Sequence, residues 1–196
     1  MTRAFRQQAE DRILDRAAEL FAQHGFAHTS LKTVADAVGL SKAGLLHHFP
    51  SKEALFEATK EVGRVHGARV AEQLSGTPVG PERDERALEL LVDIALDRPG
   101  LVAMAFGSVS TPHFDPQAGL VDDGHAFAFE AFGVDPNACE PQRLIRLIGA
   151  LSALAVLSLA AARLGEKAAW RPHILATCFD ALGHRPPTAG TPIVEA

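Results

Sequence analysis

Lys42, Ala43, Gly44 and His47 are the outward residues of a short run that starts after Ser41 and stops at Pro50. A lysine ammonium reaches either a base edge or a phosphate. A glycine lets backbone approach a ligand closely, and an imidazole suits a groove edge. Presented from the first half of a helix, these groups fit contact with duplex DNA. Other candidates sit at helix starts. Thr29 and Ser30 with Lys32, and Lys52 after Ser51, place hydroxyl or ammonium groups beside orphan N–H groups and a positive dipole end, where a phosphate is favoured. Ser41 joins them as a cap within contact range. Arg3 and Arg6 offer an arm for the minor groove, although a frayed terminus is the simpler reading.

For that run to project, two helices must cross closely behind it. Residues 30 to 55, SLKTVADAVGLSKAGLLHHFPSKEAL, read as two short helices joined by a tight turn, with a third helix starting after them. Ser30 or Thr29 caps the first, and Val34, Ala35 and Val38 give it one apolar face. Gly39 follows the last periodic residue, where a left-handed C-cap suits glycine. Ser41 caps the second helix, which turns Leu45 and Phe49 inward, and Ser51 caps the third, with Glu53 near its positive end. A small residue at the crossing (Ala35), glycine at the bend (Gly39) and an apolar anchor beyond it (Leu45) follow the order a helix-turn-helix requires. An ordinary helical hairpin would need only the caps; the combined spacing favours DNA binding.

Residues 10 to 56 resemble the N-terminal domain of TetR-type transcriptional regulators, through RILDRAAELFAQHGFAHTSLKTVADAVGLSK and LLHHFPSKEALF. The resemblance covers about a quarter of the chain. It implies an all-α homodimer, with a three-helix DNA-binding head and a larger helical body that dimerises and usually binds a small effector. On that pattern residues 1–50 are the head, 51–183 the body and 184–196 a frayed tail. In the family, the positions of Leu46, His47 and His48 usually read tyrosine, an aromatic or histidine, then histidine. Leu46 lacks the tyrosine hydroxyl that meets a phosphate, and could touch a thymine methyl instead. His47 is assigned to the groove. His48 is either a phosphate ligand or a partly buried support.

The 196 residues suit one small domain plus a packed extension, and 47% of them are apolar, enough for a sizeable core. The net charge of −5 looks wrong for DNA, but it is unevenly spread. Residues 1 to 52 hold seven Lys/Arg against five Asp/Glu, and the remainder hold twelve against nineteen. A locally positive face is all that phosphate attraction requires. Two distant cysteines, Cys139 and Cys178, fit a reducing compartment, and the charged first sixteen residues do not read as a leader, so a cytoplasmic location is expected. The apolar run from Leu147 to Ala162 is read as too short to span a membrane.

No nucleophile elbow, phosphate loop or zinc-spaced Cys/His set occurs, so no catalytic residue, metal or cofactor is assigned. Asp122, Asp123 and His125 read as a cap and solvated charge. They also supply the alternative of a small-molecule enzyme in the helical body. A helical interaction module with a vestigial head is the other alternative, kept open by Leu46.

In the body, Pro81 to Asp97, Pro99 to about Ser108, Asp115 to Phe132, Asp135 or Glu140 to about Leu164, and Ala168 or Pro172 to Leu182 read as helices. Met104, Phe106, Phe114, Phe127, Phe129 and Trp170 are candidate walls of an effector pocket. Leu147, Leu151, Leu154 and Leu159, with Ile174, Cys178 and Phe179, are candidates for a four-helix dimer interface. A dimer would place two recognition helices roughly 34–36 Å apart on a near-palindromic operator. Effector binding would then shift the helix after Ser51 and separate the heads.

Overall fold

Ser30, Ser41 and Ser51 each accept a hydrogen bond from the backbone N–H three residues on, at 3.0 Å in every case, and so start three successive helices. The protein is described by a computed structural model covering residues 3–110 and 126–184, with side chains from 6–105 and 127–184. Among those residues the chain is all-helical: α1 (Arg3–His28), α2 (Leu31–Ala37), α3 (Lys42–His48), α4 (Lys52–Gln73), α5 (Pro81–Asp97), α6 (Pro99–Ser110), α7 (Ala126–Ala131), α8 (Pro141–Leu164) and α9 (Lys167–Leu182).

Several boundaries differ from expectation for identifiable reasons. Gly25 breaks α1, at φ 76° and ψ 159°, and helix resumes to His28. Arg6 is helical and paired with Glu10 at 2.9 Å, so it does not form a loose arm. Of the two possible starts for α8, Glu140–Pro141 is used, with proline at its first position, where the missing N–H costs nothing. Pro172 lies inside α9 instead of starting it.

The sequence folds around two apolar clusters. The first joins Ile13, Ala17, Leu20 and Phe21 of α1 to Val34, Ala35, Leu45, Phe49 and Leu55. The second joins α4, α5, α7, α8 and α9, with Leu88, Phe132, Leu147 and Ile174 at most 1% exposed. Gly63 and Gly67 lie buried in α4, where a methyl at Gly67 would meet the Phe127 ring at 2.8 Å. Close packing thus accounts for Gly67, while at Gly63 a methyl would meet Leu101 at an ordinary 3.7 Å.

The two clusters are fastened together where α1 crosses the start of α6. Asp15 on α1 accepts hydrogen bonds from the Gly100 and Leu101 N–H groups at 2.9 and 3.2 Å, capping α6 from another element. Arg98 bonds to the carbonyl and the carboxylate of Asp11, both at 3.2 Å. Burial raises the Asp15 carboxyl above its ordinary range, against the opposing pull of those two backbone donors. A methyl at Gly100 would land on the Asp15 carbonyl oxygen. Gly100→Ala should therefore push α6 off α1 and cost about 1–3 kcal/mol by overpacking, read as a lowered melting temperature. An unchanged melting temperature would mean the two helices do not touch there.

At the far end of the body, Asp84 of α5 is 1% exposed and holds two partners. Arg143 of α8 donates to one carboxylate oxygen at 2.7 Å, and the His184 ring nitrogen lies 2.6 Å from the other. The adjacent Arg83 donates to the carbonyls of Leu74, Thr77 and Ala131, and so closes the end of α4.

Candidate nucleic-acid interface

The turn between α2 and α3 is set by main-chain bonds. Leu40 N–H donates to Ala35 O at 2.9 Å and Gly39 N–H to Asp36 O at 3.3 Å, the paired closure of a Schellman end. It requires a left-handed residue, and Gly39 supplies φ 73°. Ala35 and Leu45 are both fully buried, so the helices cross on a methyl and one leucine. This fixes which side of α3 faces outward. Ser41, Lys42, Ala43, Leu46 and His47 are exposed, Gly44 is half-buried, and Leu45 and Phe49 are buried. Lys42 has no ion-pair partner among the described residues, whereas Lys32 is paired along α2 with Asp36 at 2.8 Å.

Three candidates are tied into the head by hydrogen bonds of their own, Thr29 and Lys52 against expectation and His48 in one of its two expected places. Thr29 is 2% exposed, and its hydroxyl donates to the Gly25 carbonyl at 2.8 Å. Its side chain locks the Gly25 break, and the outward cap is Ser30. His48 is half-buried, with Nδ1 3.2 Å from Glu10 on α1, so the support reading describes its position. The Glu10 carboxyl is held below its usual range chiefly by Arg6, then by His48. That contribution is present above pH 4.5 and is lost as pH falls through the lowered value.

Lys52 is the third. Its ammonium donates to the Phe26 carbonyl at 2.8 Å and lies 4.3 Å from the Phe26 ring centroid. The ring stacks with Phe56 and Phe21, at centroid distances of 4.9 and 5.8 Å. The ammonium thus closes the chain after Gly25 and is not held out toward a phosphate. Lys52→Met, which keeps the stem, should cost about 1–2 kcal/mol of stability through the lost charged hydrogen bond. Its effect on DNA affinity should follow that loss; an unchanged melting temperature with a lower salt slope would restore the phosphate role.

The body residues also divide. Met104 receives the Thr59 hydroxyl at 3.6 Å, Phe127 packs on Gly67, Phe129 is buried in the body core and Trp170 is half-buried against it. Phe114, Asp122, Asp123 and His125 lie outside the described residues, and Phe106 is described only as part of α6. A small cleft lies elsewhere, at the joint between α1, α4 and α6, lined by Leu14, Asp15, Thr59, Val62, Arg98 and Leu101. Sequence reasoning missed it, since it is made by residues far apart in the chain.

The expected interface list needs correction. Leu147, Leu154, Ile174 and Cys178 are 0%, 6%, 1% and 0% exposed and belong to the monomer core. Burial pushes the Cys178 thiol up to about 12, leaving it unreactive. Leu151, Leu159 and Phe179 are half-buried. The outer stripe of α8 is instead Ile145, Gly149 and Val156, flanked by half-buried Ser152. At 24 residues the whole of α8 is, by length and composition alone, long and apolar enough to cross a membrane; it packs here against α9, α5 and α6.

Comparison with known proteins agrees with this geometry. Residues 13–59 match the family of bacterial regulatory proteins, tetR family. The HTH-type transcriptional regulator RutR of Escherichia coli K12 is 50% identical over 46 residues, 24% of this chain and 22% of RutR. UidR of the same strain is 42% identical over 52 residues, 26% of each chain. The chain therefore matches only about a quarter of the length of these curated relatives. Among solved structures, a TetR-like transcriptional regulator from Rhodococcus sp. RHA1 superposes with TM-score 0.53 at 19% identity, covering 94% of this chain and 100% of the other. The fatty acid degradation regulator FadR from Bacillus halodurans gives 0.52 at 12% identity, covering 90% and 97%. Residues 13–59 form a TetR-family helix-turn-helix domain, and the described residues have the fold of TetR-like regulators.

Proposed function

We propose that this chain, a TetR-type head on a TetR-type helical frame, is a homodimeric transcriptional regulator that represses by binding a palindromic operator and is released by a small apolar ligand. The observation that carries the reading is the outward face of α3. Lys42, Ala43, Leu46 and His47 stand exposed on a helix whose other side is anchored by the buried Ala35–Leu45 crossing. A short, doubly capped helix with an exposed cation has the dimensions and chemistry to enter a major groove. Lys42 and His47 are assigned to base edges, with Ser30, Ser41 and Gly44 beside the backbone. A duplex-DNA partner places the protein in the cytoplasm. The regulator names of the sequence relatives favour binding over catalysis.

The dimer would form through the outer stripe of α8 with α9. Ile145 and Val156 are 69% and 52% exposed, and Gly149 and Ser152 between them allow close approach. Ligand release would act through α4 and through the Asp15–Gly100 and Asp11–Arg98 fastenings, because these tie the head to the body. The ligand must bind differently to the DNA-competent and released states to shift anything.

Selection from a randomised duplex library tests the reading. Full-length protein should enrich an inverted repeat with half-sites about one turn apart. Lys42→Ala and His47→Ala should each change the enriched bases at a cost of about 1–3 kcal/mol. Failure to enrich any sequence at low salt would rule the function out.

A further inference from the structure

The outward face of α3 carries neither a carboxylate nor an amide: its exposed side chains beyond the Ser41 cap are Lys42, Ala43, Leu46 and His47. Leu46 is 37% exposed at the centre of that face, while its neighbours Leu45 and Phe49 are turned into the head core. His48 is occupied with Glu10. We propose that each operator half-site is read through the 5-methyl group of a thymine held against Leu46 and Ala43, beside a guanine that accepts from Lys42. This rests on the DNA-binding function proposed above and specifies what that face recognises.

The chemistry of the groove narrows the choice. Adenine N6 and cytosine N4 are donors, read best by amides or carboxylates, which this face lacks; the acceptors it does carry are the Ser41 hydroxyl, engaged in capping α3, and the His47 ring. Guanine O6 and N7 are acceptors and suit an ammonium, which can only donate. The thymine methyl is the apolar feature of the major-groove edge, and it matches an isobutyl group. Lys42 and Leu46 are four residues apart, so both lie on one side of the helix, about 6 Å apart along its axis. That rise corresponds to about two base steps, so the thymine and guanine should fall within two positions of each other. Charge brings the face to the duplex: the first 52 residues have seven cations against five anions, the rest twelve against nineteen. Contact would also withdraw an exposed leucine from water.

The test uses full-length protein and the inverted-repeat duplex enriched from random DNA, synthesised with thymine or with deoxyuridine at each position in turn. Deoxyuridine keeps every hydrogen bond and removes only the methyl. Wild type should lose about fourfold in affinity for one half-site methyl and about fifteenfold for both. Leu46→Ala should bind the thymine duplex about as weakly as wild type binds the uracil duplex, and should lose little more on removal of the methyl. Wild-type affinity unaffected by every uracil replacement would overturn the inference while leaving DNA binding intact. So would Leu46→Ala keeping the full fifteenfold sensitivity. Absence of any enriched duplex would overturn both this inference and the function beneath it.

Discussion

Asp84→Ala should destabilise the folded chain by about 3–5 kcal/mol, the cost of removing one member of a buried ion cluster. The carboxylate is 1% exposed, between the Arg143 guanidinium and the His184 ring, which are 24% and 18% exposed. Its removal leaves His184 without that acceptor and Arg143 with only the Phe132 carbonyl at 3.5 Å, both with poor access to water. The three residues come from α5, the first turn of α8 and the residue after the Gly183 end of α9, so the loss should loosen all three helices together. Removing Asp84 and Arg143 together, as Asp84→Leu with Arg143→Met, should cost less than Asp84→Ala alone, because the half-buried Arg143 guanidinium is then no longer left uncompensated. Urea unfolding of the three proteins measures this. A double variant as unstable as the single would show that the cluster is not coupled.

Val156→Arg should convert the proposed dimer to a monomer and cost about 100-fold or more in operator affinity. Val156 is 52% exposed on the outer stripe of α8 and contributes little to the monomer core, so the fold should survive. In a two-fold dimer the same patch of each copy meets the other, so one substitution introduces two charges into an apolar contact. Two heads held together bind two half-sites with an avidity of roughly 10²–10⁴ over one head. Sedimentation of the variant should give a single chain mass with an unchanged helical signal. A variant that remains dimeric would move the interface to another surface. By contrast, Leu154→Ala should unfold the monomer before it affects association, since Leu154 faces the body core.

The head was legible because its signals are local. Ser30, Ser41 and Ser51 each act on a backbone group three residues away, and Gly39 acts on the turn it occupies. Residues of that kind carry their structural meaning within one turn of helix. Lys52 was misjudged because its partner, the Phe26 carbonyl, lies 26 residues away, and Thr29 because its hydroxyl turns back into the helix break at Gly25 instead of forward to the next helix. Still longer separations escaped notice: Asp15 caps α6 from 85 residues away, and Asp84 meets His184 across 100. Nothing in local spacing marks such pairs.

The sides of α8 were confused for a different reason. A helix apolar all round has no polar stripe to show which side faces the core. Leu147 and Leu154, seven residues apart, make one stripe, and Ile145, Gly149 and Val156 make another. Both are hydrophobic, and only packing against α5 and α9 separates them. The small residues Gly149 and Ser152 on the second stripe would fit the close approach of another backbone in the proposed dimer.

The most direct measurement is a fluorescence-anisotropy titration of full-length protein against its enriched inverted-repeat duplex and a scrambled duplex of the same composition, at fixed salt. Binding through two copies of α3 requires two protomers per duplex and a preference for the inverted repeat of at least about 10³, with Lys42→Ala eroding that preference. Equal affinity for both duplexes, unaltered by Lys42→Ala, would contradict it.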